Sequence, residues 1–91
     1  MRNVDFYRAA YKFLQRLPRK QWRQVSERIE GLLANPHPSD SKTLEGFPNF
    51  RRADIGEYRI IYFATKELVY VALVGKRNDD DVYKRFRRLF G

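Results

Sequence analysis

Hydrophobic positions in the first third of the chain repeat with the period of a helix. Apolar residues recur at three- and four-residue spacing over residues 6–17 and again, beginning with Trp22, over residues 22–33. This spacing gathers apolar side chains on one face of each helix. Pro18 lies between the two series, and proline both interrupts one helix and suits the first turn of the next. The pattern predicts an antiparallel helical hairpin with Trp22 on its buried face.

The second half of the chain is patterned as strands. Residues 50–54 precede a turn at residues 55–57, and residues 58–64, YRIIYFA, are rich in the β-branched and aromatic types that favour strands. Residues 68–74, LVYVALV, follow another turn and form a nearly continuous apolar run. Such a run is typical of a strand that is covered on both faces.

Three shorter segments complete the predicted fold. Val4 and Phe6 alternate with polar residues, which indicates a short N-terminal strand. Residues 34–49 are rich in Pro, Ser, Asp and Gly and are interpreted as a loop, whereas residues 82–90 repeat apolar positions at helical spacing. The order of elements predicts an α+β fold in a single domain over residues 1–91. In it, the helical hairpin packs on a small, mostly antiparallel sheet that a short C-terminal helix follows.

The charge of the chain narrows the choice of partners. The net charge is +8 at pH 7 and the isoelectric point is about 10.1, which favours RNA, DNA or an acidic protein as partner. No apolar run approaches the roughly 20 residues of a membrane span, and the N-terminus does not resemble a signal peptide. The absence of cysteine excludes disulfides and thiolate chemistry. We therefore expect a cytoplasmic protein that uses neither a membrane nor a small-molecule cofactor.

Few residue types are available for catalysis. His37 is the only histidine, which excludes a paired-histidine nuclease, and a lone histidine in a loop is interpreted as solvated. Three consecutive carboxylates, Asp79, Asp80 and Asp81, offer oxygens to a hard cation, but neighbours in sequence do not easily converge on one ion. We interpret them as the cap and the N-terminal charge of the last helix, and expect no metal.

The cations of the predicted strands are better candidates for a functional site than the histidine or the three aspartates. Charged side chains inside a small sheet are unusual, because their burial without a partner is costly. If neighbouring strands bring several to one face, arginines beside a tyrosine would suit a phosphodiester and its stacked base. The alternative, that they are edge charges which prevent aggregation of the sheet, stays open. The strand cations are Arg51, Arg52, Arg59, Lys76 and Arg77.

Three segments resemble the RelE/ParE superfamily of small bacterial toxins, and together they cover nearly the whole chain. FLQRLPRKQWRQVSERIEGLLANP is similar to the helical hairpin of that superfamily. KTLEGFPNFRRADIGEYRIIY resembles its Leu-x-Gly stretch, basic strand, Gly-acidic turn and Tyr-Arg strand. VGKRNDDDVYKRF resembles the RelE-type ending, in which a tyrosine follows the Gly-Lys-Arg arginine by six residues.

The resemblance implies a type II toxin and assigns its catalytic residues. RelE-like members cleave mRNA in the ribosomal decoding site without metal, and an acidic antitoxin holds them inactive. Arg59, Arg77 and Tyr83, with Arg52, would form the site. Guanidinium groups stabilise the charge that develops on the phosphoryl oxygens while the 2′-hydroxyl attacks, and Tyr83 is the candidate general base. Tyr83 could equally stack on a base or pack the last helix on the sheet.

Further basic residues are expected to bind RNA. Two lie beside the predicted site and could add charge to it, and the others would bind ribosomal RNA or the acidic antitoxin. Those beside the site are Arg51 and Lys76, and those on the predicted helices are Arg19, Lys20, Arg23, Arg85, Arg87 and Arg88.

Asp54 departs from the superfamily pattern. It stands where members often carry a second basic residue, and a carboxylate would repel a scissile phosphate. Asp54 could instead pair with Arg52 or Arg59. Two alternatives to an mRNA endonuclease therefore stay open: a ParE-like inhibitor of DNA gyrase, since one fold serves both functions, and a non-catalytic member that only binds an antitoxin.

Overall fold

A helical hairpin and a C-terminal helix pack on opposite faces of a five-stranded sheet in the computed structural model, which describes residues 1–78 and 80–91. The strands lie in the order β1-β5-β4-β3-β2, with β1 parallel to β5 and every other neighbouring pair antiparallel. This is the predicted α+β architecture. The elements are β1 (Asn3–Phe6), α1 (Arg8–Gln15), α2 (Arg19–Ala34), β2 (Lys42–Leu44), β3 (Phe47–Ile55), β4 (Tyr58–Ala64), β5 (Leu68–Lys76) and α3 (Asp81–Phe90).

The hairpin forms where the sequence predicts it. Pro18 is the N-cap residue of α2, so it stands immediately before the first turn of the helix rather than within it. The buried side of α2 consists of Val25, Ile29 and Leu32. The placement of Trp22 on that side was wrong, since its side chain is 45% exposed.

Among the described residues, none of the helices combines the length and the apolar composition of a membrane span.

The central strands are covered on both faces, as predicted for the long apolar run. Consecutive residues of β4 alternate between two cores: Ile60 packs on the hairpin side and Ile61 on the α3 side, and both are fully buried. On β5, Val74 faces the hairpin and Leu73 faces α3 in the same way. The sheet is therefore the middle layer of three.

One strand lies within the segment that was predicted to be a loop. Lys42–Leu44 forms β2, and β3 begins at Phe47 rather than Phe50. Three residues are too few to display a period of two, so the pattern gave no signal for β2. The turn between these strands uses Gly46 at φ +82°, a conformation that suits glycine.

Aromatic side chains anchor α3 on its face of the sheet. Phe86 is almost fully buried, and its ring lies 4.9 Å from the ring centroids of both Phe47 and Phe50. Val82, one turn earlier, packs against Gly75 of β5, where an added Cβ would lie 3.0 Å from the Val82 side chain. The missing side chain at Gly75 thus lets α3 approach the sheet closely.

Candidate functional site

Arg59 lies at the centre of a polar cluster on the α3 face of the sheet. The pairing of β3 with β4 sets Asp54 directly opposite Arg59. The Arg59 Nε donates to Asp54 Oδ1 at 2.7 Å and Nη2 donates to Oδ2 at 3.0 Å, which makes the pair bidentate. Nη1 donates to the hydroxyl oxygen of Tyr83, and the guanidinium carbon lies 5.5 Å from the centroid of the tyrosine ring.

Local structure explains why Tyr83 reaches a strand residue. Arg59 pairs across the sheet with Gly75, so no side chain stands beside it on β5. Val82 occupies the space above Gly75, and the following residue of α3 is Tyr83. Tyr83 also packs on the α3-side core, so the packing role considered for it and its contact with Arg59 occur together.

Hydrogen bonds and opposite charge favour the ionised Asp54–Arg59 pair, and partial burial opposes it. The side chain of Arg59 is 13% exposed and that of Asp54 is 32% exposed. The pKa of Asp54 is held below its ordinary value, mainly by the hydrogen bonds from Arg59 and further by the charges of Arg59, Arg52 and Arg77, while burial opposes the shift. The pKa of Arg59 is raised, mainly by its hydrogen bonds to Asp54, and burial again acts in the opposite direction.

Three of the residues predicted to be catalytic act on the Asp54 carboxylate, namely Arg52, Arg59 and Arg77, and the fourth, Tyr83, contacts Arg59. Arg52 is two residues before Asp54 on β3 and shares its face. Arg77 follows β5, and its backbone N–H donates to the carbonyl oxygen of Glu57 at 2.8 Å, in the turn that joins β3 to β4. The expectation that Asp54 pairs with Arg52 or Arg59 is resolved in favour of Arg59 as the hydrogen-bonded partner.

A groove of about 730 Å³ continues from the cluster between β2 and α3. Four cations and two carboxylates line it, so it is polar with an excess of positive charge. Lys42 and Lys84 were missed by the sequence analysis. Lys84 had a usable signal, because residues 80, 83, 84 and 87 share one face of a helix, whereas Lys42 lies on the strand that was predicted to be a loop. The charged and aromatic lining residues are Lys42, Glu45, Arg52, Asp80, Tyr83, Lys84 and Arg87.

Two of the predicted RNA-binding residues lie on the hairpin face of the sheet, away from this cluster. Arg51 pairs with Tyr62 of the hairpin-side core, and its Nη2 donates to Ser41 Oγ at 2.7 Å, so it anchors the segment that leads into β2. Lys76 pairs with Tyr58 of the same core. Neither is brought beside Arg59 by the strand pairing.

The helical cations occupy separate surfaces. Three are exposed at the beginning of α2, on the opposite side of the sheet from α3, and one is half-buried on α3 and does not line the groove. These are Arg19, Lys20 and Arg23 on α2 and Arg85 on α3, whereas Arg87 of α3 lines the groove and Arg88 is exposed.

The aspartates before α3 only partly match their predicted capping role. Asp80 is the N-cap residue but accepts no capping hydrogen bond through its side chain, and Asp81 places a negative charge in the first turn. Asp79 lies outside the described residues. Within the part of the chain that is described, no group of three or more histidine or acidic side chains could hold a metal ion. His37 is exposed in the loop after α2.

Comparison with known protein families shows the family to which the chain belongs. Residues 4–81 match the family model described as the ParE toxin of the type II toxin–antitoxin system parDE. The chain belongs to this toxin family. A comparison with curated protein sequences found no match. The matched span includes Arg52, Arg59 and Arg77 and ends before Tyr83.

Solved toxin structures share the fold. The archaeal RelE–RelB complex from Pyrococcus horikoshii is 28% identical with a TM-score of 0.72, over 84% of this chain and 94% of that chain. The intact E. coli RelBE complex is 25% identical with a TM-score of 0.73, over 84% and 96%. An arginine-substituted mutant of E. coli RelE in the free state superposes with a TM-score of 0.81 over 99% and 98% of the two chains, at 23% identity. The protein is thus a type II toxin of the RelE/ParE superfamily with a RelE-like fold.

Proposed function

We propose that this toxin arrests translation by cutting mRNA on the ribosome, without a metal ion. One observation carries the proposal: Arg59 contacts Tyr83 directly, at the end of the sheet where Arg52 and Arg77 also lie. Guanidinium groups and a phenol gathered around one point are suited to a phosphodiester, whose transition state carries extra negative charge.

The chemistry needs the groups of this cluster and solvent water. The 2′-oxygen of a ribonucleotide attacks the adjacent phosphorus, the bond to the 5′-oxygen breaks, and a 2′,3′-cyclic phosphate and a 5′-hydroxyl are formed. Tyr83 accepts the proton of the 2′-hydroxyl in its phenolate form. The departing 5′-oxygen takes up a proton from solvent water while Arg77 stabilises its developing charge. Arg59 and Arg52 stabilise the phosphoryl oxygens, and one such preorganised donor is worth about 3 kcal/mol.

The groove supports the path of a strand beyond the cleaved linkage. Lys42, Lys84 and Arg87 can contact successive phosphates, while the exposed cations of α2 would contact ribosomal RNA. Because each phosphate contact releases counterions, binding should weaken steeply as salt is raised.

Purified ribosomes programmed with a defined mRNA test the proposal. Wild-type protein should produce new mRNA 5′ ends at discrete positions, and Arg59→Ala and Arg77→Ala should each lower the cleavage rate at least 100-fold, the usual cost of removing a transition-state donor. Arg16→Ala removes an exposed arginine at the end of α1 and serves as the matched control. Arrest of translation with intact mRNA would contradict the proposal.

An acidic antitoxin is the partner that we propose for control of the site. Several solved relatives are toxin–antitoxin complexes, among them RelE with RelB from Pyrococcus horikoshii. The net charge of +8 favours an acidic protein. In the cytoplasm such a protein would compete with mRNA for the same positive surface.

Inhibition of DNA gyrase is the second candidate, and two observations favour it. The matching family model is that of ParE, and Asp54 neutralises the central arginine. The two functions separate in one experiment: induced cells are assayed together for mRNA 5′ ends and for DNA breaks trapped with gyrase. Gyrase-linked breaks without new mRNA ends would select this candidate.

A further inference from the structure

Asp54 binds Arg59 in the way that an external oxyanion would. The two carboxylate oxygens lie on Nε and Nη2, which form one of the two edges of a guanidinium that bind two oxygens at once. Carboxylate and phosphate are both recognised by this fork with the same parallel hydrogen bonds. That edge of the central arginine is therefore already occupied in the free protein, and on the other edge Nη1 is bonded to Tyr83 and Nη2 to Asp54.

We infer that Asp54 is an internal competitor, which occupies the oxyanion site of Arg59 until a phosphate of a bound RNA strand replaces it. The inference deepens the proposed function and rests on it for the identity of the ligand. It assigns to Asp54 a negative effect on RNA binding that is exerted through Arg59 rather than through net charge.

The geometry allows this exchange without movement of Arg59. Asp54 is the more exposed member of the pair, at 32% against 13%, so its carboxylate can swing towards solvent while the guanidinium stays. The contact from Nη1 to Tyr83 does not involve Asp54 and continues to hold the arginine. Arg52 and Arg77 act on Asp54 electrostatically, and they remain to receive the displaced carboxylate or the incoming phosphate.

A positioning role for Asp54 predicts the opposite result. If the carboxylate were needed to aim Arg59 at the RNA, its removal would weaken binding. If the carboxylate competes, its removal strengthens binding. The sign of one affinity change therefore separates the two roles.

The test is the binding of a short, fluorescently labelled single-stranded RNA with 2′-O-methyl groups, measured by anisotropy without ribosomes. Asp54→Asn should bind about tenfold more tightly than wild type, because a neighbouring like charge is removed and a charge-assisted donor pair is freed. Glu57→Gln removes the same charge from the adjacent turn without touching Arg59, and should change the affinity about twofold or less.

A double-mutant cycle shows whether the effect passes through Arg59. In an Arg59→Gln background, Asp54→Asn should lose most of its gain and match Glu57→Gln, because no guanidinium edge remains to be freed. Asp54→Thr is the second variant, chosen because threonine suits a strand, and each variant is checked for cooperative unfolding before use.

The outcomes distinguish this inference from the proposed function. The methylated RNA cannot be cleaved, so tighter binding by Asp54→Asn supports the inference even if the wild-type toxin cuts no mRNA on the ribosome. Unchanged or weaker binding by both Asp54 variants overturns the inference, whatever the cleavage assay gives. Equal gains from Asp54→Asn and Glu57→Gln, or a full gain in the Arg59→Gln background, overturn it as well.

Discussion

The two faces of the sheet are built for different tasks. On the hairpin face, two helices close an apolar core that includes Val25, Ile29 and Leu32. On the other face one helix of ten residues covers the sheet, and only part of that face is apolar. Phe86 anchors this helix, whereas Tyr83, one turn earlier, reaches the polar cluster.

The difference couples the candidate site to the packing of α3 on the sheet. Loss of stability on the hairpin face would lower the amount of folded protein but leave the site intact in the molecules that fold. Loss of packing under α3 would displace Tyr83 from Arg59 even in folded molecules. Substitutions matched across the two faces can therefore separate stability from function.

Phe86→Ala should have the largest effect. The ring is almost fully buried among Phe47, Phe50 and Phe90, so its removal should lower the free energy of unfolding by about 3–5 kcal/mol. Urea denaturation measures this loss. Leu32→Ala, on the hairpin face, is the control and should cost about 2–5 kcal/mol.

The activity per folded molecule should differ between these two variants. Per folded molecule, Leu32→Ala should keep the mRNA cleavage proposed for the wild type, and Phe86→Ala should lose it because α3 no longer holds Tyr83 in place. Equal activity of the two variants per folded molecule would break the proposed coupling between packing and site.

Gly75→Val should have the next largest effect, from the same face. A Cβ at residue 75 would already lie 3.0 Å from Val82, and the branched side chain adds further overlap. Overpacking of this kind costs about 1–3 kcal/mol, although valine suits a strand better than glycine does. The measurement is again the urea midpoint, together with RNA binding, which should fall as α3 is pushed away from Arg59.

Gly31→Ala is the glycine control on the hairpin side. Nothing lies within 4 Å of the position of its Cβ, and residue 31 is within α2. The change should stabilise the protein by about 0.5–1 kcal/mol, because alanine favours a helix more than glycine does. A destabilised Gly31→Ala would show that close packing is not confined to the α3 face.

The sequence predicted the fold well because its signals are local. The proline between two helical series and the apolar run of residues 68–74 determine the hairpin and the buried strand without reference to the rest of the chain. Trp22 was placed wrongly because helical spacing alone cannot show where the buried side ends. The strand at Lys42–Leu44 exists through its pairing with β3, which is a tertiary contact.

The sequence predicted which residues form the candidate site, but not which of them contact one another. Arg59, Arg77 and Tyr83 came from the resemblance to a toxin superfamily, and Asp54 was recognised as unusual. That Asp54 faces Arg59 depends on the register of two strands, which a turn of two residues sets. Arg51 and Arg52 are neighbours in sequence, yet alternation along β3 directs them to opposite faces of the sheet.

Asp54→Asn should lower stability moderately, by about 1 kcal/mol at pH 7, since a partly exposed ion pair is lost. The pKa of Asp54 is lowered by folding, so the ionised carboxylate stabilises the protein above its unfolded pKa of about 3.9. That contribution is lost as the pH falls through the lower, folded pKa. The difference in urea midpoint between wild type and variant should therefore be constant near neutral pH and shrink below about pH 4.

A difference that persists at low pH would mean that the Asp54 side chain stabilises the strand by packing rather than by charge. With the expected gain in RNA affinity, Asp54→Asn would be less stable than the wild type but would bind RNA more tightly. A variant that gained both would contradict the view that one carboxylate supports the fold and blocks the ligand.

Asp40→Asn should have the smallest effect. It shows how solvent exposure changes the contribution of an ion pair to stability. Arg28 Nη2 lies 2.9 Å from Asp40 Oδ1, and this contact lowers the pKa of Asp40. The carboxylate is 67% exposed and the bond is single, whereas Asp54 is half as exposed and binds through both oxygens. Because water screens an exposed pair, the urea midpoint at pH 7 should not change measurably, and RNA binding should stay at the wild-type level. A loss as large as that of Asp54→Asn would show that an exposed arginine–aspartate contact in this protein contributes as much stability as the partly buried Asp54–Arg59 pair.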